Sequence, residues 1–230
     1  MPRTARPKVA GFPLHMLQRG HNKKACFEQE QDFRLYLSLL TESSKLHPCA
    51  IHAFVLMTNH VHLLATPAEP VHASRMMKRL NEQYGMYFNN KYGRTGSVWE
   101  GRFKTCIVDT VSYLLQTHRY IELNPVRAGM VPEPGEYAWS SYGANAYGEP
   151  SDLLTPHEQI LRMGACDDER RSQYRRFVGL GTADDELNAI RRSTATSAPL
   201  MSIDRLESLP PDLRRVPRPV GRPKKGKLPA

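Results

Sequence analysis

The sequence predicts an α+β domain built on an antiparallel sheet, and three observations predict it. Two extended apolar runs are joined by a tight connection, helix-spaced apolar stripes lie before and after them, and glycine or proline stands at most of the junctions. The order that results is strand, helix, strand, strand, helix, strand, helix, which differs from the strict alternation of a parallel α/β sheet.

Residues 13–19 supply a short strand, and the polar run 19–24 turns the chain toward a helix whose apolar positions are Phe33, Tyr36, Leu37 and Leu40. That i, i+3, i+4, i+7 spacing marks one buried face, and Pro48 closes the helix. Residues 49–57 and 60–65 follow as a hairpin about Thr58 and Asn59. A second helix spans residues 71–91 with Met77, Leu80, Tyr84 and Phe88 on one side, and Gly93 to Gly96 break it. An extended segment, roughly 98–108, leads to Asp109 or Thr110 as the cap of a helix that is expected to stop at Asn124, ahead of Pro125. From about residue 150 short helices are expected: Thr155 caps one with Pro156 at its first position, Asp167 caps another ending near Leu180, and a third covers 184–192. After Leu209 six prolines fall among basic side chains within twenty-one residues, a composition that cannot build a core and is expected to stay disordered until bound. The chain therefore divides into a main domain over 1–148, a helical extension over 149–209 and a basic tail over 210–230.

A length of 230 residues with 40% apolar content is enough for one sizeable core. No apolar run approaches the ~18 residues needed to cross a bilayer, and the basic N-terminus lacks the apolar stretch of a secretory signal. A cytoplasmic, nucleoid-associated protein is expected. Cys26, Cys49, Cys106 and Cys166 are widely spaced with no C-x-x-C pair, which argues against a disulfide framework and against a cysteine-rich zinc site. The net charge is +9, but residues 205–230 hold eight Lys or Arg against two acids, so most of it belongs to the tail. Bulk charge alone does not make the folded part a binder of polyanions.

Chemistry has three candidate locations. His60 and His62 stand at i and i+2 of a predicted strand, so both imidazoles face one side of the sheet while Val61 and Leu63 face the other. Two neutral imidazoles on one face make a natural metal pair, although hydrogen-bonded strand histidines would read the same way. Cys49 and His52 resemble half a zinc site without a second half and are read as structural. On the helix VSYLLQTHRYIELN, Tyr120 and Asn124 are one turn apart on a common face. A phenol can attack phosphorus if a Lewis acid stabilises the phosphate charge, and an amide oxygen one turn on can serve as a third ligand to a hard metal. Tyr120 also reads as a packing residue, and Tyr113 is a rival nucleophile two turns earlier, with Thr117 where an acceptor would be needed. In the tail, Gly221, Arg222 and Pro223, flanked by Lys224 and Lys225, can lie as a thin strip in the minor groove of A·T-rich duplex. An unspecialised phosphate-binding tail is the plainer alternative.

These pieces, in this order, resemble the single-tyrosine HUH transposases, and among them the REP-associated tyrosine transposases of the IS200-like group. The resemblance is carried by Gln18 to Asn22, by Met57 to Leu63, by Gly96 to Lys104 and by Tyr120 to Gly129. Trp139 to Tyr142, Leu154 to His157 and the terminal Gly-Arg-Pro-Lys-Lys are similar to longer members with a helical extension, whereas the stretch from Ser197 to Arg205 is less typical. The resemblance implies a ferredoxin-like sheet, similar to an RNA-recognition domain, with the histidine pair on it and the tyrosine helix nearby. It further implies Mg²⁺ or Mn²⁺ on His60, His62 and Asn124, a 5′-phosphotyrosine on Tyr120, and a single-stranded hairpin DNA substrate whose backbone Arg19, Arg102 and Lys104 contact. Two other readings compete with it. A non-catalytic nucleic-acid-binding regulator would lack a complete site, and a replication initiator or relaxase would place these residues in other surroundings. Monomer and homodimer both remain open.

Overall fold

The computed structural model describes residues 9–200, so the basic tail lies outside the described residues. Its elements are β1 (Leu14–Arg19), α1 (Glu30–Leu46), β2 (Cys49–Met57), β3 (His60–Pro67), α2 (His72–Tyr92), β4 (Lys104–Ile107) and α3 (Val111–Glu122). These are followed by α4 (Asn124–Arg127), α5 (Glu158–Leu161), α6 (Asp167–Gly179) and α7 (Asp184–Thr196). The sheet runs β2-β3-β1-β4 with every neighbouring pair antiparallel. A β-α-β-β-α-β chain in this strand order is the ferredoxin-like arrangement. The expected α+β antiparallel fold is therefore borne out.

Alternation along the strands sorts the two faces. Leu14 and Met16 of β1, Phe54 and Leu56 of β2, and Val61, Leu63 and Ala65 of β3 pack against α1 and α2 through Tyr36, Leu40, Met76, Met77, Leu80, Tyr84 and Phe88. Asp32 ties this layer together. Its carboxylate accepts from the backbone N–H of Glu28 and Gln29 at the start of α1 and from Tyr87, Lys91 and Tyr92 near the end of α2. Burial alone would raise the Asp32 carboxyl, but these donors hold it well below the ordinary carboxylate range.

The second face of the sheet is covered by α3 and α7. Ala53, Val55, Met57 and Leu64 pack there with Leu114, Tyr120 and Ile121 of α3, and with Leu187 and Ile190 of α7. Leu200, just beyond α7, bridges in parallel to Val108.

Four local expectations need correction. The extended segment 98–108 is a strand only over Lys104–Ile107; before it, Trp99 turns its ring into the Tyr36 and Tyr84 cluster and donates its indole N–H to the carbonyl of Asn81. The tyrosine helix ends at Glu122, two residues short of the expected Asn124, and a separate turn, α4, then carries Pro125 in its first turn, where a missing N–H costs nothing. His157, not Thr155, caps α5, since the backbone of Leu154 and Thr155 is spent on the sheet edge at Ile51. Cys166, not Asp167, is the residue before α6, and Asp167 pairs with Arg170 and Arg171 instead. Among the described residues no helix is long and apolar enough to cross a membrane.

Candidate active site

The pairing of β3 with β1 sets His62 opposite Leu17 and His60 opposite Arg19, and the pleat turns both imidazoles toward the face that α3 covers. His60 is half-buried and His62 is buried, with their rings 5.1 Å apart and nearly perpendicular. Burial, reinforced by the charge of Arg19, lowers the His60 imidazole to about 4. Burial, then the neighbouring His15, His60, Arg127 and Arg19, holds His62 well below its ordinary value. Both rings are neutral at physiological pH, the form that can donate a lone pair to a metal.

Their Nδ1 atoms are already engaged. Nδ1 of His60 lies 2.6 Å from Oδ1 of Asn59, whose own Nδ2 donates to the Lys23 carbonyl at 3.1 Å. The amide is oriented by that carbonyl, so Oδ1 accepts from His60 Nδ1–H and the Nε2 lone pair of His60 is left over. Nδ1 of His62 lies 2.8 Å from Nε2 of His15 on β1, which likewise leaves Nε2 of His62. The hairpin tip that carries Asn59 is held by Gly20, whose N–H donates to the Asn59 carbonyl at 2.9 Å. A side chain at Gly20 would collide with the carbonyl oxygen of Lys24.

Tyr120 enters from α3, whose first turn is capped by the Thr110 side chain. Its ring stands edge-on to His62 at 5.4 Å and to His15 at 5.8 Å. Nδ2 of Asn124 donates to the Tyr120 carbonyl at 3.0 Å, leaving the amide oxygen as the group free to ligate. Two imidazole nitrogens and one amide oxygen are donor types that would suit a divalent cation. Tyr113 packs at the margin of the Leu64, Val108 and Leu187 cluster, and its ring makes no stacking contact with either histidine.

Of the three basic candidates in the folded part, Arg19 is paired with His60, and Lys104 is paired with Leu17, which is itself opposite His62. Both therefore share the histidine face. Arg102 goes elsewhere, lining a cleft of about 560 Å³ with Arg75, Lys78 and Trp99 beside α2. Arg222, Lys224 and Lys225 lie outside the described residues.

Two residues that touch the site escaped the reading of the sequence. His15 shares strand parity with Leu17 and Arg19, but only the register of β1 against β3 brings it to His62. Arg127, one turn beyond Asn124, lays its guanidinium 4.5 Å over the Tyr120 ring and donates to the Tyr120 carbonyl. Burial lowers the Arg127 guanidinium to about 10, which still leaves it charged at neutral pH. Its position two turns after Tyr120 on the same stripe was the available signal.

Behind α3 lies a second polar centre. Oε1 of Glu122 accepts from Ser141 at 2.7 Å, Tyr174 at 2.9 Å and Asn145 at 3.1 Å, while Oε2 is buried and meets no partner among the described residues. Burial pushes its carboxyl up to about 7 against the pull of those three donors. From α7, Glu186 pairs with Arg119 at 2.8 Å, which fastens that helix to α3.

A histidine pair on the outer face of a ferredoxin-like sheet, with a tyrosine helix laid across it, is found here in a DNA-processing enzyme. The chain belongs to the IS200-like transposase family, whose model matches residues 8–124. A solved structure described as the REP-associated tyrosine transposase bound to a REP hairpin is similar in fold, with a TM-score of 0.55 at 19% identity over 68% of this chain and 93% of that one. A putative transposase from Deinococcus radiodurans R1 aligns over 53% of this chain and 96% of its own with a TM-score of 0.37, also at 19% identity. No curated protein matches the chain.

Proposed function

We propose that this transposase cleaves and rejoins single-stranded DNA near hairpins, with Tyr120 as nucleophile and with His60, His62 and Asn124 as ligands to Mg²⁺ or Mn²⁺. The observation that carries the reading is the edge-on packing of Tyr120 against a histidine whose Nδ1 is engaged and whose Nε2 is left over. The phenolic oxygen of Tyr120 attacks phosphorus in line with the 3′-oxygen of the preceding nucleotide. The new bond is a 5′-phosphotyrosine; the P–O3′ bond breaks, the phenol loses its proton and the leaving oxygen takes one up as a 3′-hydroxyl. Attack by another 3′-hydroxyl reverses the step and rejoins DNA without ATP, because the phosphodiester bond energy is kept. His60, His62 and Asn124 would hold a divalent cation, which would supply Lewis-acid stabilisation of the scissile phosphate.

Arg127 places a cation beside the nucleophile, and Arg19 and Lys104 offer charges on the same face for the DNA backbone. The hairpin preference rests on the fold shared with a transposase solved on a REP hairpin. In this reading residues 1–148 carry the chemistry, α6 and α7 of the extension brace it, and the tail over 210–230 adds affinity for duplex flanks.

The test is incubation of the purified chain with end-labelled single-stranded hairpin oligonucleotides and Mg²⁺ or Mn²⁺, followed by denaturing electrophoresis. A metal-dependent covalent adduct, lost in Tyr120→Phe, is expected. Tight hairpin binding with no adduct under any metal would make the protein a non-catalytic binder.

A further inference from the structure

We infer that Thr194 of α7, acting through His15, holds His62 in the one tautomer whose Nε2 can accept a metal ion, which makes α7 a positioning element of the site. The inference rests on the proposed metal role of His60 and His62. It concerns a helix that lies outside the residues matched by the family model.

The argument follows from a row of buried hydrogen bonds that ends on a carbonyl. Oγ1 of Thr194 lies 2.8 Å from the carbonyl oxygen of Ile190, one turn earlier in α7, and 3.0 Å from Nδ1 of His15. A carbonyl oxygen can only accept, so the single hydroxyl proton of Thr194 goes to Ile190. The Thr194 oxygen must then accept from His15, which places the His15 proton on Nδ1. A neutral imidazole carries one N–H, so Nε2 of His15 is an acceptor, and it lies 2.8 Å from Nδ1 of His62. The proton of that bond therefore sits on Nδ1 of His62, and Nε2 carries the lone pair. His15, His62 and Thr194 are all less than 4% exposed, so the row is shielded from bulk solvent.

His60 reaches the same state by its own route through Asn59 to the carbonyl of Lys23. The two ligands are thus set by opposite ends of the chain, one by the loop after β1 and the other by α7. Metal-ligating histidines are commonly oriented by a partner on the second ring nitrogen, and loss of such a partner lowers metal affinity by about 10- to 100-fold. Removal of the Thr194 hydroxyl does more than weaken the contact. It leaves Nδ1–H of His15 without an acceptor, so His15 is driven to the Nε2–H form, donates to His62, and puts the His62 proton on the nitrogen that the metal needs.

The experiment uses the full-length, metal-depleted chain without DNA. Ring-nitrogen NMR reports the tautomer of His62, assigned from the spectrum of His62→Ala, and calorimetric titration with Mn²⁺ alone reports affinity. Wild-type protein should show a protonated Nδ1 and a bare Nε2. Thr194→Val, nearly isosteric, should reverse that pattern and weaken Mn²⁺ by about 10- to 100-fold, while Thr194→Ser should restore both. A Thr194→Val protein with wild-type tautomer and affinity, or a Thr194→Ser protein as impaired as the valine variant, overturns the inference. His60→Ala separates the two levels of the argument. If it abolishes Mn²⁺ binding while Thr194→Val keeps wild-type affinity, only the role of α7 is wrong; if it leaves Mn²⁺ binding unchanged, the proposed metal site falls and the inference with it. Should Thr194→Val not fold, His15→Gln, which keeps an acceptor for His62, is compared with His15→Leu. Retained affinity in the glutamine variant alone supports the inference, and equal loss in both overturns it.

Discussion

The Tyr120 ring meets the His62 ring at 87° with centroids 5.4 Å apart, so the proposed nucleophile and a proposed metal ligand touch although 58 residues of sequence separate them. Two independent placements produce this contact: strand parity on β3 and helical phase on α3. Since Tyr120 is itself buried in the second-face core, replacing it with a phenylalanine keeps the ring and removes only the oxygen. Tyr120→Phe should abolish cleavage and the covalent adduct while thermal stability moves by no more than about 1 kcal/mol. Tyr113→Phe should keep cleaving. The reverse result from the two variants in the oligonucleotide assay would move the nucleophile two turns back along α3, to Tyr113.

The metal ligands should fail unequally. His60→Ala or His62→Ala should remove metal-dependent cleavage, and chelation should reproduce that loss. Asn124→Ala should be milder, because a water molecule can take the place of an amide oxygen more readily than that of an imidazole. Full-rate cleavage after exhaustive chelation would contradict the proposed arrangement.

Arg127 tests whether charge near the tyrosine matters to chemistry or only to packing. Its guanidinium lies 4.5 Å over the Tyr120 ring, and its Nη1 is buried with no partner among the described residues. That donor is uncommitted, on a guanidinium that lies against the proposed nucleophile. Arg127→Gln should slow single-turnover cleavage about 10-fold or more, corresponding to about 1–2 kcal/mol of transition-state stabilisation, and should leave Mn²⁺ affinity near wild type. An unchanged cleavage rate would confine Arg127 to holding the α4 turn.

The hairpin and the shared face of His60 and His62 were legible in the sequence because period-two alternation is local and needs no knowledge of partners. So was the one-turn spacing of Tyr120 and Asn124, whose amide reaches the Tyr120 carbonyl. His15 was not, because it reaches His62 only through the antiparallel register of β1 against β3, which no single segment encodes. The strand over 98–108 was read too long, since Trp99 and Phe103 look like strand residues but spend their apolar surface on the α1 and α2 layer. The amphipathic stripe of α7 was visible as a helix, yet a stripe does not say which surface it will cover. That Leu187 and Ile190 close the tyrosine face is a tertiary fact.

Deletion of residues 210–230 should leave the chemical step intact on saturating single-stranded hairpin, because every proposed catalytic group lies before Gly129. Affinity should fall instead, most at low salt. The slope of log affinity against log salt should flatten by about 0.7 for each lost contact on single strands and about 0.9 on duplex. Arg222→Ala should weaken binding to A·T-rich flanks more than to G·C-rich flanks. Equal losses on both flanks would reduce Arg222, Lys224 and Lys225 to a general polyanion clamp, and a slower single-turnover rate at saturation would give the tail a part in assembling the site.

Glu122 predicts a stability change with a definite sign. Its carboxyl rises from an ordinary 4.5 to about 7 through burial, so the folded state binds a proton that the unfolded chain has released. Between those two values the unfolded state holds fewer protons, and this group's contribution to stability falls as pH rises, by up to about 3 kcal/mol in all. Buried histidines act in the opposite direction: His118, lowered to about 3, and His52, lowered to about 4, contribute stability that is present above 6.5 and lost as pH drops toward those values. Wild-type protein alone would therefore show a partly cancelled profile. The difference between Glu122→Gln and wild type isolates the carboxyl, since the glutamine oxygen still accepts from Ser141, Tyr174 and Asn145 but has no proton to lose. Denaturant unfolding at a series of pH values should show the variant gaining on wild type by about 3 kcal/mol from pH 4.5 to 7 and holding constant above. A difference that stays flat across that range would mean that Glu122 is ionised throughout, and that its three donors outweigh the cost of burying a carboxylate with one oxygen unpaired.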